Sequence, residues 1–90
     1  MKSIIQSERE CYFCKRTNFL ELHHCMPGKW RKMADDDGLT VWLCHEHHTG
    51  KSGVHCNPEL RLELQQLAEQ SFISIHSYAE WMERYGKNYI

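Results

Sequence analysis

Two short ligand pairs, Cys11-x-x-Cys14 and Cys44-x-x-His47, lie far apart in a chain of only 90 residues. A domain this small seldom gains more than about 3–5 kcal/mol from its core, and natural ones often add disulfides or a structural metal. Tetrahedral zinc takes four thiolate or imidazole ligands, commonly as two such pairs. Cys11, Cys14 and Cys44 offer three thiolates, and His47 completes a Cys3His site; His48, reached by Cys-x3-His spacing, is the alternative fourth ligand. The first pair precedes one β-type run and the second leaves another. The ion is therefore expected to clamp the ends of a hairpin.

All five cysteines and all but one of the seven histidines precede residue 57. The cysteine count is odd, and polar Glu8, Arg9 and Glu10 stand where an apolar leader would lie. Both features argue against a disulfide framework and for a reducing cytoplasm with thiolates on metal. Cys25 and Cys56, outside the ligand pairs, read as buried packing residues. No run approaches the ~20 apolar residues of a membrane span. A net charge of −1 excludes a broadly basic nucleic-acid face. The one basic cluster, Lys29, Arg31 and Lys32, is the candidate for local phosphate contacts.

The pattern predicts a small α+β chain in three parts. Residues 1–10 form a polar, loosely ordered lead-in. Residues 11–57 form a zinc-stapled core, and residues 58–90 a two-helix extension packed on it. Leu20 to Met26 is expected as a strand ended by Pro27-Gly28. Lys29 to Gly38 reads as a polar loop with the acidic run Asp35-Asp36-Asp37. Alternating Leu39 to Leu43 is the clearest strand. Asn57-Pro58 starts a helix through Leu60, Leu64 and Leu67 to about Phe72. Ser77 and Glu80 form a capping box for a second helix carrying Tyr78, Trp81, Met82 and Tyr85, which Gly86 stops.

Five histidines near the zinc pairs exceed what packing requires. Consecutive strand residues point to opposite faces, so His23 and His24 should divide their labour, one on a metal and the other directed at a substrate. A continuous helix would separate His48 from His55 by about 10 Å along its axis. A metal shared by both therefore needs a chain reversal, and Gly50 and Gly53 are where it fits. His45 is expected to be a surface or supporting group.

The ordered elements Cys11-x-x-Cys14, Leu22-His23-His24, Gly38-Leu-x-Val-x-Leu-Cys44, Cys44-x-x-His47-His48 and Gly53-Val-His55 resemble the HNH (ββα-metal) endonucleases. The likeness is greatest to the small Cys-rich forms of phage and prophage genomes, and the Tyr85-Gly86-Lys87-Asn88-Tyr89 tail is similar to their endings. The resemblance implies a ββα-metal core and metal-dependent hydrolysis of DNA. It makes His24 the general base, and His23, His48 and His55 the ligands of a catalytic divalent cation (zinc, manganese, nickel or magnesium). Three imidazoles favour the first three of these over magnesium. DNA is the implied partner, with a homodimer or a larger phage complex adding binding surface. The alternative expectation is a non-catalytic zinc module that binds nucleic acid or a protein; a regulator docking through its acidic loop and aromatic helix is a third.

Overall fold

A computed structural model describes residues 2–90. Strands β1 (Leu20–His24) and β2 (Thr40–Cys44) form a two-stranded antiparallel sheet. Its register sets Leu20 opposite Cys44, Leu22 opposite Trp42 and His24 opposite Thr40. Directly opposed residues share a face. Glu21, His23, Val41 and Leu43 thus lie on one side, and Leu22, His24, Thr40 and Trp42 on the other. The first side joins the core: Val41 and Leu43 are buried with Met26, Leu39, Val54, Leu64, Phe72 and Trp81.

The connection between the strands departs from the expected polar loop. It contains a 3-10 turn (Gly28–Trp30) and helix α1 (Arg31–Asp37). Three aspartates at a helix C-terminus oppose the macrodipole, so local propensity argues against this helix. Tertiary contacts override it. Ala34 is fully buried. Asp37 accepts two 2.8 Å hydrogen bonds from the Arg84 guanidinium and one of 2.6 Å from the Tyr85 hydroxyl. Gly38 closes the helix in the left-handed region (φ 75°), its N–H reaching the carbonyls of Ala34 and Asp35. Of the acidic run only Asp37 is largely covered; Asp35 and Asp36 remain about half exposed.

Gly38 is also where the N-terminal segment crosses closely. A Cβ there would lie 2.5 Å from the Lys2 carbonyl oxygen and 3.1 Å from Ile4 Cγ2. At Gly28, also left-handed (φ 69°), a Cβ would meet nothing within 4 Å. Gly38→Ala should therefore cost about 2–4 kcal/mol, and Gly28→Ala only the backbone part, about 1–2 kcal/mol. Denaturant melts of the two variants test this. Equal losses would show that the crossing segment is not held there.

The segment before Cys11 meets the sheet at Ser3, Ile4, Gln6 and Arg9. Ile4 N–H donates to the Gly38 carbonyl at 2.9 Å, and the Ser3 hydroxyl donates to the Thr40 carbonyl. Trp42 N–H donates to Gln6 Oε1 at 2.8 Å, and the Arg9 guanidinium lies 4.5 Å over the Trp42 ring. With Tyr12 N–H donating to the Trp42 carbonyl at 2.9 Å, these contacts cover the outer edge of β2. A bare edge would invite strand pairing from another chain.

After β2 come a four-residue helix α2 (His45–His48), a turn-rich reversal, α3 (Pro58–Ile75) and α4 (Tyr78–Tyr85). The caps are those expected. Asn57 Oδ1 accepts from Glu59 N–H at 3.0 Å, Ser77 Oγ accepts from Glu80 N–H at 3.1 Å, and Gly86 is left-handed. Helix α3 runs three residues beyond Phe72. Its buried stripe, Leu64, Ala68 and Phe72, includes Glu69, which the sequence reading did not place in the core. Glu69 Oε1 accepts from Tyr89 N–H at 2.6 Å, and Gln66 donates to the Tyr89 carbonyl at 2.9 Å. The C-terminal tail is thereby folded back onto α3. No helix among the described residues is long and apolar enough to cross a membrane.

Candidate metal centres

The Cys11–Cys14 turn is closed by Lys15 N–H to the Cys11 carbonyl (2.9 Å) and Cys11 N–H to the Arg16 carbonyl (2.8 Å). Lys15 takes a left-handed conformation at its end (φ 67°). Cys44 ends β2, and α2 begins at the next residue, so His47 is brought back over the Cys44 thiol. The ligand atoms of Cys11, Cys14, Cys44 and His47 all lie within 4.8 Å of one another. Cys14 Sγ is 3.7 Å from Cys44 Sγ; His47 Nδ1 is 3.2 Å from Cys44 Sγ and 3.5 Å from Cys11 Sγ. For zinc–sulfur bonds near 2.3 Å and zinc–nitrogen bonds near 2.0–2.1 Å, a tetrahedron has edges of about 3.8 Å and 3.5 Å. The cluster could therefore hold a metal ion, and its dimensions suit zinc. Burial alone would push the Cys11 thiol up, but the backbone amides of Cys14, Cys44 and Phe13 outweigh it and hold it down at about 6. Cys44, in the same cluster, is pushed the other way by burial and by the neighbouring Cys11 and Cys14 thiols.

His47, not His48, joins this cluster; His48 turns to the other side of α2. Cys25 is buried, its thiol pushed up to about 12 by that burial, as suits a packing residue. Cys56 is exposed and so is not the buried packing residue expected from sequence. It falls in the reversal just before the Asn57 cap, where nothing covers it.

A second cluster lies on the far side of α2. The ligand atoms of His23, His48 and His55 are within 4.8 Å of one another, and His48 Nε2 is 3.0 Å from His55 Nε2. The reversal that makes this possible is hydrogen-bonded from Val54 N–H to the His47 carbonyl (2.9 Å) and from His55 N–H to the His48 carbonyl (3.2 Å). It passes tightly at Gly53, where a Cβ would stand 2.6 Å from the His48 carbonyl oxygen.

Three features give this trio the character of a ligand set. His23 Nε2 is buried with no hydrogen-bond partner among the described residues, which is costly unless something else engages it. A hydrogen bond between His48 and His55 would satisfy those two rings and leave His23 orphaned; one cation satisfies all three. His48 Nδ1 donates to Glu21 Oε1 at 2.7 Å, which fixes the tautomer and leaves the Nε2 lone pair facing the cluster. Carboxylates support metal-binding imidazoles in this way. Lastly, burial and the neighbouring His48, His55 and His24 rings push His23 down to about 3, and burial, His48 and Arg61 push His55 down. Both shifts favour the neutral form, the one that can bind a metal.

Glu21 was not singled out from sequence. It also accepts from His45 Nδ1 at 3.2 Å, and these two imidazoles hold its carboxyl below the usual range. A signal for it exists: Glu21 and His23 are two apart on a strand and must share a face.

A cleft of about 300 Å³ opens over the trio, lined by His23, His48, His55, His24, Leu22, Pro27, Gly28 and Arg31. His24 is not among the clustered ligands. Its Nε2 lies 3.3 Å from Asp35 Oδ1. Of the three basic candidates, only Arg31 lines this cleft. Lys32 borders an adjoining depression with Arg31 and His24, and pairs with Asp36 at 3.7 Å. Lys29 lies over the Trp30 ring at 4.9 Å. Comparison with family models, curated proteins and solved structures yields no match.

Proposed function

We propose that the chain is a metal-dependent endonuclease of the HNH (ββα-metal) type that hydrolyses DNA phosphodiester bonds. In this reading it is phage or prophage encoded, and acts as a homodimer or within a larger phage complex. The observation that carries the reading is the convergence of three imidazoles on one point beneath a cleft that also holds a fourth imidazole outside that cluster and an arginine. A packing or purely structural role accounts for the Cys3His cluster but not for this. The antiparallel strands, with a ligand-bearing segment following β2, agree with a ββα-metal core.

Cys11, Cys14, Cys44 and His47 hold a structural zinc. His23, His48 and His55 hold a catalytic divalent cation: zinc, manganese, nickel or magnesium. Held by these three imidazoles, such an ion would supply electrostatic stabilisation of the charge that builds on the phosphate and its leaving oxygen. The chain's own residues do the rest. Glu21 orients His48. Arg31 attracts the phosphate into the cleft and suits bidentate binding of it. Lys29 and Lys32, further out, can contact flanking phosphates. His24 accepts the proton of the attacking water, which neutral imidazole does well near pH 7.

Calorimetric titration of manganese or nickel into zinc-loaded protein tests the ligand set. One exchangeable site is expected, lost in His55→Ala while the structural zinc stays. Identical titrations of variant and wild type would remove the trio from the account. A retained zinc with no second site would leave the non-catalytic zinc module as the better reading.

A further inference from the structure

Asp35 sits within α1, where it caps nothing, and its carboxylate faces His24. Its neighbours in the acidic run are committed elsewhere, Asp36 to Lys32 and Asp37 to Arg84 and Tyr85. Among the described residues, His24 is the one side chain hydrogen-bonded to the Asp35 carboxylate. Arg31 stands one helical turn earlier on the same face and lines the cleft that His24 also lines. Helix α1 therefore sets a cation beside the cleft and an anion behind the imidazole.

A carboxylate has only lone pairs to offer, so the imidazole nitrogen facing it carries the hydrogen. His24 is then the Nε2–H tautomer, and Nδ1 is the nitrogen free to act. We infer that Asp35 is the positioning residue for His24, fixing its tautomer and ring orientation so that Nδ1 meets the substrate water. The inference rests on the nuclease reading and deepens it. As the water oxygen bonds to phosphorus, its proton passes to His24 Nδ1. The phosphorus–oxygen bond to the leaving sugar breaks with its electron pair, and that oxygen takes a proton from solvent. The imidazolium, steadied by Asp35, returns its proton to solvent.

The test uses zinc-loaded protein with two readouts. Nitrogen–proton correlation of the histidine rings should show His24 as the Nε2–H tautomer in the wild type and a mixture in Asp35→Asn, with Asp35→Glu largely restored. In plasmid cleavage, Asp35→Asn should lose about 10–100-fold in kcat with KM within about twofold, the scale of one supporting hydrogen bond to a working imidazole. An Asp35-independent tautomer overturns the inference whatever the activity, as does an unchanged kcat. An Asp35-dependent tautomer in a protein that cleaves no nucleic acid overturns the nuclease reading instead, and the catalytic role of Asp35 with it.

Discussion

Stripping the structural metal with a strong chelator is expected to unfold the protein, not merely loosen it. The Cys3His cluster joins the turn at Cys11 to the end of β2 and the start of α2, so its loss frees the end of the sheet where β1 begins and β2 finishes. Binding free energies of structural zinc in small domains run to about 10–16 kcal/mol near pH 7, well above the few kcal/mol that a core of this size supplies. Helical circular dichroism should collapse on chelation and return with one zinc per chain. Cys44→Ser should reproduce the loss, whereas Cys56→Ser, at an exposed thiol outside both clusters, should melt like the wild type. A metal-free protein with full ellipticity and a cooperative melt would contradict this.

The second large effect concerns the adjacent histidines. His24→Ala should lower the cleavage rate by about 10²–10⁴-fold, the usual contribution of a general base. It should leave zinc content and second-site affinity nearly unchanged, because His24 belongs to neither ligand cluster. His23→Ala should behave differently. It should remove one of the three clustered imidazoles, weaken binding of a second cation and be partly rescued by added cation. Metal titrations paired with single-turnover kinetics separate the two variants. If both lose metal in parallel, the division of labour across β1 is wrong.

That His23 and His24 point to opposite faces was legible in the sequence because strand geometry alternates neighbours, and His23 is buried while His24 is only partly so. The two cysteine-containing pairs were legible for a similar reason: ligand spacing is short-range and set by local turns. Asn57, Ser77 and Gly86 announced the ends of α3 and α4 through cap chemistry. Elements held by distant contacts were not legible. Helix α1 depends on Asp37 meeting Arg84 and Tyr85 from the far end of the chain, against the local preference of an aspartate run. Missing α1 concealed Asp35, since a residue in a polar loop gives no reason to face His24. Glu69 was hidden likewise, because its partner is the backbone of the returning tail. The exposed Cys56 was misplaced because the reversal after His48 was expected without its path being known.

The central claim, that a metal-loaded histidine cleft cuts DNA through His24, is tested most directly on supercoiled plasmid. Zinc-loaded wild type and His24→Ala would be incubated with it across magnesium, manganese, nickel and zinc. Nicked or linear product should form with wild type and at least one of these cations, and fall by at least about 100-fold in the variant at equal metal content. Equal cleavage by the two proteins, or none by the wild type with any cation, would contradict the account.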